Sequence, residues 1–219
     1  MRPWFIVVLF YATLTLGCST LTADPALVQP PRSVPLQIAF SNAYYNGDVR
    51  VIENVWLKPY PVDAQGGLEG VRKELDVLGP MSEVAGRRFD GLTTWGLNWG
   101  FSFDDGGASC RLRNATIEIE AVITLPELGD EKALPVAELD LWSDYLLELR
   151  AHEDGHVNIY RAGAQELSNE ILALGDMADC EQLRKTLDAL GKAKIERISQ
   201  ADRNFDLQTG HGAIFPIKE

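Results

Sequence analysis

From Trp95 onward the hydrophobic period of this chain changes once, and that change limits what it can fold into. Trp95, Leu97, Trp99, Phe101 and Phe103 alternate with Gly96, Asn98, Gly100 and Ser102. Ala115, Ile117, Ile119, Ala121, Ile123 and Leu125 then alternate with Asn114, Thr116, Glu118, Glu120 and Thr124. A period of two belongs to strands with one buried face, so the aromatic stripe reads as core. The Asp104-Asp105-Gly106-Gly107 link joins the runs as an antiparallel hairpin, and Pro126 is expected to end the second strand. From Val136 the period lengthens to threes and fours, through Leu139, Trp142, Leu146, Leu149, Val157 and Ile159. After a break near Gly175 it resumes with Leu183, Leu187, Leu190, Ala193, Ile195 and Ile198. Those are amphipathic helices, one over about 136–174 and one over about 179–204. Upstream, residues 49–60 read as a strand pair or a bent strand, and Leu68, Val71, Leu75 and Leu78 as a short helix stopped by Gly79-Pro80. Strands first and long helices after indicate α+β: an antiparallel sheet packed against a C-terminal helical hairpin.

The chain before this domain reads differently. Met1-Arg2-Pro3 is a short basic start, and the apolar run Trp4–Leu16 is too short to span a bilayer. It ends in Leu14-Thr15-Leu16-Gly17-Cys18, which resembles the lipobox of bacterial lipoproteins, cut before a cysteine that is then lipidated. The competing readings are a plain secretory signal and an uncleaved anchor. The expectation is a signal peptide over 1–17, a lipidated Cys18 on a proline-rich tether over 18–35, and a single domain over 36–219. Ser19 after the cysteine resembles the pattern sent to the outer membrane. Export suits the remaining cysteines: Cys110 and Cys180 form an even pair in an oxidising compartment, so a disulfide is expected over two free thiols. The net charge of −12 becomes −12 − 1 = −13 once residues 1–17, which hold only Arg2, are removed. A chain this acidic is no electrostatic ligand for nucleic acid.

The chemistry is concentrated in His152-Glu153-Asp154-Gly155-His156, inside the first long helix. Residues four apart on a helix rise about 6 Å and rotate about 40°, so both imidazoles can grip one cation. Glu153 points about 100° away from His152, poorly placed as a ligand but able to reach a water held by the metal. Two neutral imidazoles and a carboxylate base are what a zinc hydrolase needs. The bland alternative is a pair of surface histidines beside a solvated glutamate. Against it, the chain has only 3 histidines, and two of them frame this glutamate.

A catalytic zinc normally takes three protein ligands. A histidine six residues past the second would fall at Ala162, and Glu166 and Glu170 lie about 15 and 21 Å further along the helix. A returning helix that starts near Asp179 draws level with the motif at about residue 202. The segment from Phe205 to Gly212 therefore emerges beside the site. His211 is the first choice for third ligand. Asp206 is the second, or else a carboxylate orienting one of the histidines. Tyr160, one turn beyond His156, is either an oxyanion donor or a packing residue.

Several stretches together resemble a bacterial family of domains of unknown function predicted to be secreted zinc-dependent proteases. They are Gly79-Pro80, Gly91-x-Thr93-x-Trp95-x-x-x-Trp99, Cys110 before a strand ending Thr124-Leu125-Pro126, and Trp142-x-x-Tyr145 upstream of His152-Glu153-x-Gly155-His156. Cys180-x-x-Leu183, Phe205-Asp206-x-x-Thr209-x-His211-Gly212 and Phe215-Pro216 complete the set. The resemblance implies metal binding by His152 and His156, catalysis by Glu153, a shared role for residues 206–212, and Cys110 and Cys180 as disulfide partners.

The expected protein is thus a Zn2+-dependent hydrolase, a peptidase acting on peptide or protein substrates. A lipid anchor would hold it to the envelope membrane, facing the periplasm. Its rivals are a non-catalytic, zinc-stabilised envelope lipoprotein and an amidase acting on cell-wall peptides.

Overall fold

Residues 36–212, apart from 131 and 132, are described by a computed structural model. The expected signal peptide, lipidated Cys18, tether and Phe215-Pro216 lie outside the described residues. The elements follow the change of period. Strands β1 (Gln37–Asn46) and β2 (Val49–Val62) precede helix α1 (Gly67–Leu78), and a small hairpin follows, β3 (Met81–Ser82) with β4 (Arg87–Arg88). Then come β5 (Leu92–Asp105), β6 (Cys110–Leu128), α2 (Val136–Leu172) and α3 (Cys180–Thr209).

The large sheet has the order β1-β2-β6-β5. Its outer pairs are antiparallel, as the hairpin signals require, but β2 and β6 run parallel. The expectation of an antiparallel sheet is corrected here. The chain leaves β2 through α1 and the small hairpin, returns along β5, and so brings β6 back in the direction of β2. Residues 49–60 form one strand rather than a pair. Pro126 does not end β6, which continues to Leu128. Pairing with β5 stops at Thr124, so the missing N–H of Pro126 falls where that edge has no partner strand.

The alternating side chains Val49, Val51, Val55, Leu97, Ile117, Ile119 and Ile123 are buried, with Tyr160, Leu167, Ile171, Leu183, Leu187 and Ile198 of the helices in the same core. Each such side chain gains on the order of 1.5–3 kcal/mol by leaving water. Glu53 of β2 is buried in this face and accepts two hydrogen bonds from Arg161 of α2, at 2.6 and 3.1 Å. The two helices run antiparallel, as their successive contacts show. Lys194 Nζ donates to Glu166 and Glu170, Ile198 presses on Gly163, and Asp202 meets His156. A β-carbon at Gly163 would lie 2.4 Å from Ile198, so the helices close here only because that atom is absent.

Asp179 caps α3 by accepting from Gln182 N–H, and the disulfide Cys110–Cys180 ties this helix start to the start of β6. At the other end α3 runs five residues beyond the expected Asn204. Gly210, in the left-handed conformation at φ 64°, terminates it. Among the described residues no helix is long and apolar enough to cross a membrane.

Candidate metal centre

Antiparallel pairing of α2 with α3 brings the last turns of α3 level with the middle of α2. His152, Glu153 and His156 are buried there, with relative exposures of 8, 3 and 5%. The Nε2 atoms of His152 and His156 stand 3.1 Å apart. Each is 3.2 Å from Oδ1 of Asp206. A tetrahedral ion with bonds of about 2.0–2.1 Å needs its ligand atoms roughly 3.3 Å apart, so this near-equilateral triangle has the right size.

The outer nitrogens determine what the triangle contains. His156 Nδ1 is 2.6 Å from Oδ1 of Asp202, an acceptor, and therefore carries the proton. His152 Nδ1 is 3.2 Å from the hydroxyl of Thr209, which spends its own proton on the carbonyl of Phe205 at 2.7 Å and so accepts from the ring. Both Nε2 atoms then present lone pairs. With both rings neutral, two lone pairs and a carboxylate oxygen converge, an arrangement that calls for positive charge. Burial and the neighbouring His156 hold His152 below the usual imidazole range. Burial acts most strongly on His156 and lowers it, but the bond to Asp202 and the charges of Asp202, Glu153 and Asp206 together outweigh this and set it above that range. Two imidazoles and one carboxylate are a fitting donor set for a catalytic zinc, with a fourth position left over.

Glu153 stays outside the triangle, as its helical offset requires. Burial pushes its carboxyl up to about 6, and a hydrogen bond from Thr93 opposes the shift. That bond, Thr93 Oγ1 to Glu153 Oε2, is 2.6 Å long. Gly91 covers the other oxygen: a β-carbon there would sit 2.8 Å from Oε1. The start of β5 is itself anchored through Asp90. Its carboxylate takes two 2.6 Å bonds from Arg72 and one from the Tyr145 hydroxyl, and its carbonyl accepts from Tyr60 at 2.7 Å.

Not every expected residue falls where spacing put it. Asp206, the second choice, occupies the third corner. His211 does not join the group whose ligand atoms all lie within 4.8 Å of one another; its Nδ1 is 3.6 Å from Asp206 Oδ1. The reason is that α3 continues through Thr209, which carries Asp206 inward on the helix and leaves His211 on the turn beyond it. Tyr160 donates its hydroxyl to Asp202 at 2.6 Å and stacks on Trp95, so it is engaged in holding the carboxylate behind His156.

Asp202 and Thr93 belong to the site without being singled out for it by the sequence. Asp202 lies one helical turn before Asp206, a spacing that becomes informative only when the helix is extended past residue 204. Phe205 packs its ring 5.0 Å from each histidine ring, stacked on one and edge-on to the other. Gly155 makes room for it, since a β-carbon at that position would be 2.4 Å from Phe205 Cζ.

The triangle opens into a cleft of about 740 Å³. One side is formed by the β3–β4 hairpin and the first residues of β5, the other by the ends of the motif region and α3. Met81, Val84 and Leu207 line the cleft and are 50, 91 and 76% exposed, which makes its rim apolar.

No curated protein and no solved structure matches this chain. The sequence profile described as "Bacterial protein of unknown function (DUF922)" matches residues 57–212, which span the sheet from late β2 onward, both helices and every residue of the centre. With more than half of its length matched, the chain belongs to this bacterial family of unknown function.

Proposed function

We propose that this protein is a zinc-dependent hydrolase of the bacterial envelope, a metallopeptidase in which Glu153 is the general base. The observation that carries the reading is the triangle of His152, His156 and Asp206, three acceptors when both rings are neutral, spaced for a tetrahedral cation. A divalent cation held there would supply Lewis acidity, polarising a carbonyl and lowering the pKa of a water toward neutrality. The chain supplies the rest. Asp202 and Thr209 keep both imidazoles in the tautomer that offers Nε2. Thr93 and Gly91 hold the Glu153 carboxylate where it can take a proton from water and later return it to a leaving amine. The open cleft gives a peptide or protein substrate access.

The envelope location rests on the lipobox-like Leu14–Cys18 sequence, with Cys18 as the lipid-bearing residue facing the periplasm. The Cys110–Cys180 disulfide suits an oxidising compartment. A second reading, a non-catalytic zinc-stabilised lipoprotein, draws on the fact that the centre joins α2 to α3. Among the described residues three ligand atoms converge and no fourth, which favours catalysis, because structural zinc sites close all four positions.

The deciding experiment measures zinc content and hydrolysis of unstructured protein substrates for wild type, His156→Ala and Glu153→Ala. About one zinc per chain is expected in wild type and Glu153→Ala, but none in His156→Ala. Hydrolysis is expected in wild type alone. A wild type without metal affinity would end the reading, and a Glu153→Ala variant as active as wild type would leave only the structural role.

A further inference from the structure

Gly210, His211 and Gly212 follow α3 with φ values of 64, 63 and 98°. The left-handed region costs glycine nothing, whereas an L side chain is strained there. His211 is the only non-glycine residue with positive φ among the described residues. The turn is nevertheless tightly made. His211 N–H donates to the Asp206 carbonyl at 3.0 Å, and Gly212 lies close enough to His152 that a β-carbon would be 3.0 Å from its ring. The strained residue carries an imidazole that lines the metal cleft, with its side chain 35% exposed. Its ring centroid is 5.4 Å from that of Phe89. Its Nδ1 is 3.6 Å from Asp206 Oδ1, beyond hydrogen-bond length, so the two are neighbours and not a bonded pair. The ring therefore stands one layer outside the ligand triangle, on the cleft side.

We infer that His211 is a catalytic residue that donates a ring N–H to the carbonyl oxygen of the scissile bond. The inference rests on the hydrolase reading and assigns this side chain a task distinct from metal ligation. A carbonyl oxygen entering the cleft over the triangle would meet the imidazole, which lines the same cleft and stands 3.6 Å from Asp206. As the water oxygen bonds to the carbonyl carbon, the water proton passes to Glu153 and the carbonyl π pair moves onto its oxygen. His211 stabilises that charge by hydrogen bonding, with no net proton transfer of its own. When the C–N bond breaks, the pair returns to form the carboxyl product, and the proton on Glu153 goes to the leaving amine. A donor of this kind acts only where charge develops, so it contributes to turnover more than to ground-state binding. The left-handed turn follows the end of α3 directly, and the ring it carries lines the cleft beside Phe89 and Asp206.

The strain gives the test an unusual sign. His211→Gly relaxes the turn, and His211→Asn tolerates the left-handed conformation while keeping an N–H donor. For wild type and both variants we would measure zinc affinity, the melting temperature of the metal-free protein, and kcat and KM on a quenched-fluorescence peptide. The expectation for His211→Gly is unchanged zinc affinity, a melting temperature no lower than wild type, and kcat reduced by about 100-fold at similar KM. His211→Asn should recover part of that loss. Weakened zinc binding in His211→Gly would make His211 a ligand and overturn the inference. Full activity with zinc retained would reduce it to a surface strap. If wild type binds zinc yet cleaves no peptide, the hydrolase reading fails first and takes this one with it.

Discussion

Thr93 donates its hydroxyl proton to Oε2 of Glu153 across 2.6 Å, from the edge strand β5 to helix α2. Both groups are buried, so the bond is not traded against water. A hydrogen bond to a charged group is worth about 1.5–3 kcal/mol, which corresponds to roughly tenfold to a hundredfold in rate if it acts on the base. Thr93→Val, of similar shape, should lower kcat within that range and leave zinc content unchanged; Thr93→Ser should stay near wild type. The pH profile should move as well. Activity needs the carboxylate, so it is lost as pH falls through the pKa of Glu153, which burial sets at about 6 in the metal-free protein. A neighbouring cation draws that limb lower. Losing the Thr93 bond, which favours the charged form, should shift the limb of Thr93→Val to higher pH than that of wild type. Identical limbs in the two proteins would show that the bond does not act on the base.

Asp206 and Asp202 sit one turn apart on α3 and should respond differently to removal. Asp206→Ala takes away a corner of the triangle and should abolish stoichiometric zinc. Asp202→Ala keeps the triangle but removes the acceptor that fixes the His156 tautomer, and such outer partners typically contribute 10–100-fold in metal affinity. Competition titrations against a zinc-binding dye would separate the two. Equal losses would mean that Asp202 is itself a ligand and that the triangle is drawn on the wrong carboxylate.

These two residues also mark where sequence reading stops. The helical spacing of His152 and His156 is local, so periodicity alone places both rings on one face. The level at which α3 meets them follows from helix length and the Gly175 break, which is why the stretch from 205 to 212 could be brought to the site by counting. The choice between Asp206 and His211 depends on where α3 ends. Gly210 was the available signal, a glycine just past a run with no breaker, and reading it as the C-cap would have put Asp206 on the helix. The parallel pairing of β2 with β6 was not legible in the same way. It depends on how α1 and the β3–β4 hairpin carry the chain across, and alternation within a strand says nothing about its neighbour's direction. Thr93 is harder still, because its partner lies 60 residues away and is chosen by packing alone.

The disulfide predicts a loss of stability with little loss of chemistry. Cys110 and Cys180 close a loop of 70 residues, and the chain-entropy argument gives about 4 kcal/mol for such a link. The bridge joins the start of β6 to the start of α3, at the far end of that helix from the metal centre. The Cys110→Ser/Cys180→Ser double variant should therefore unfold at clearly lower urea concentration, by about 2–5 kcal/mol. Its zinc affinity at low temperature should match wild type. A fall in zinc affinity under conditions where the variant is fully folded would show that the bridge shapes the centre.

Gly155, between the two histidines in sequence, is the position where the packing of Phe205 meets the His152–His156 pair. Phe205 lies so close that a β-carbon at residue 155 would sit 2.4 Å from its Cζ and 2.9 Å from Cε1. Contacts under about 3 Å cannot be kept, and overpacking of this kind costs about 1–3 kcal/mol. Alanine favours a helix interior over glycine by roughly 1 kcal/mol, so propensity alone predicts that Gly155→Ala stabilises α2. The steric term should win, because the ring is held between both histidines and has little room to withdraw. Moving Phe205 moves Asp206 beside it, so Gly155→Ala should lose zinc affinity together with stability. The double variant Gly155→Ala/Phe205→Leu tests the cause: a smaller side chain at 205 should restore part of both. If Gly155→Ala proves more stable than wild type with zinc affinity intact, the Phe205 ring is not the constraint that keeps this position free of a side chain.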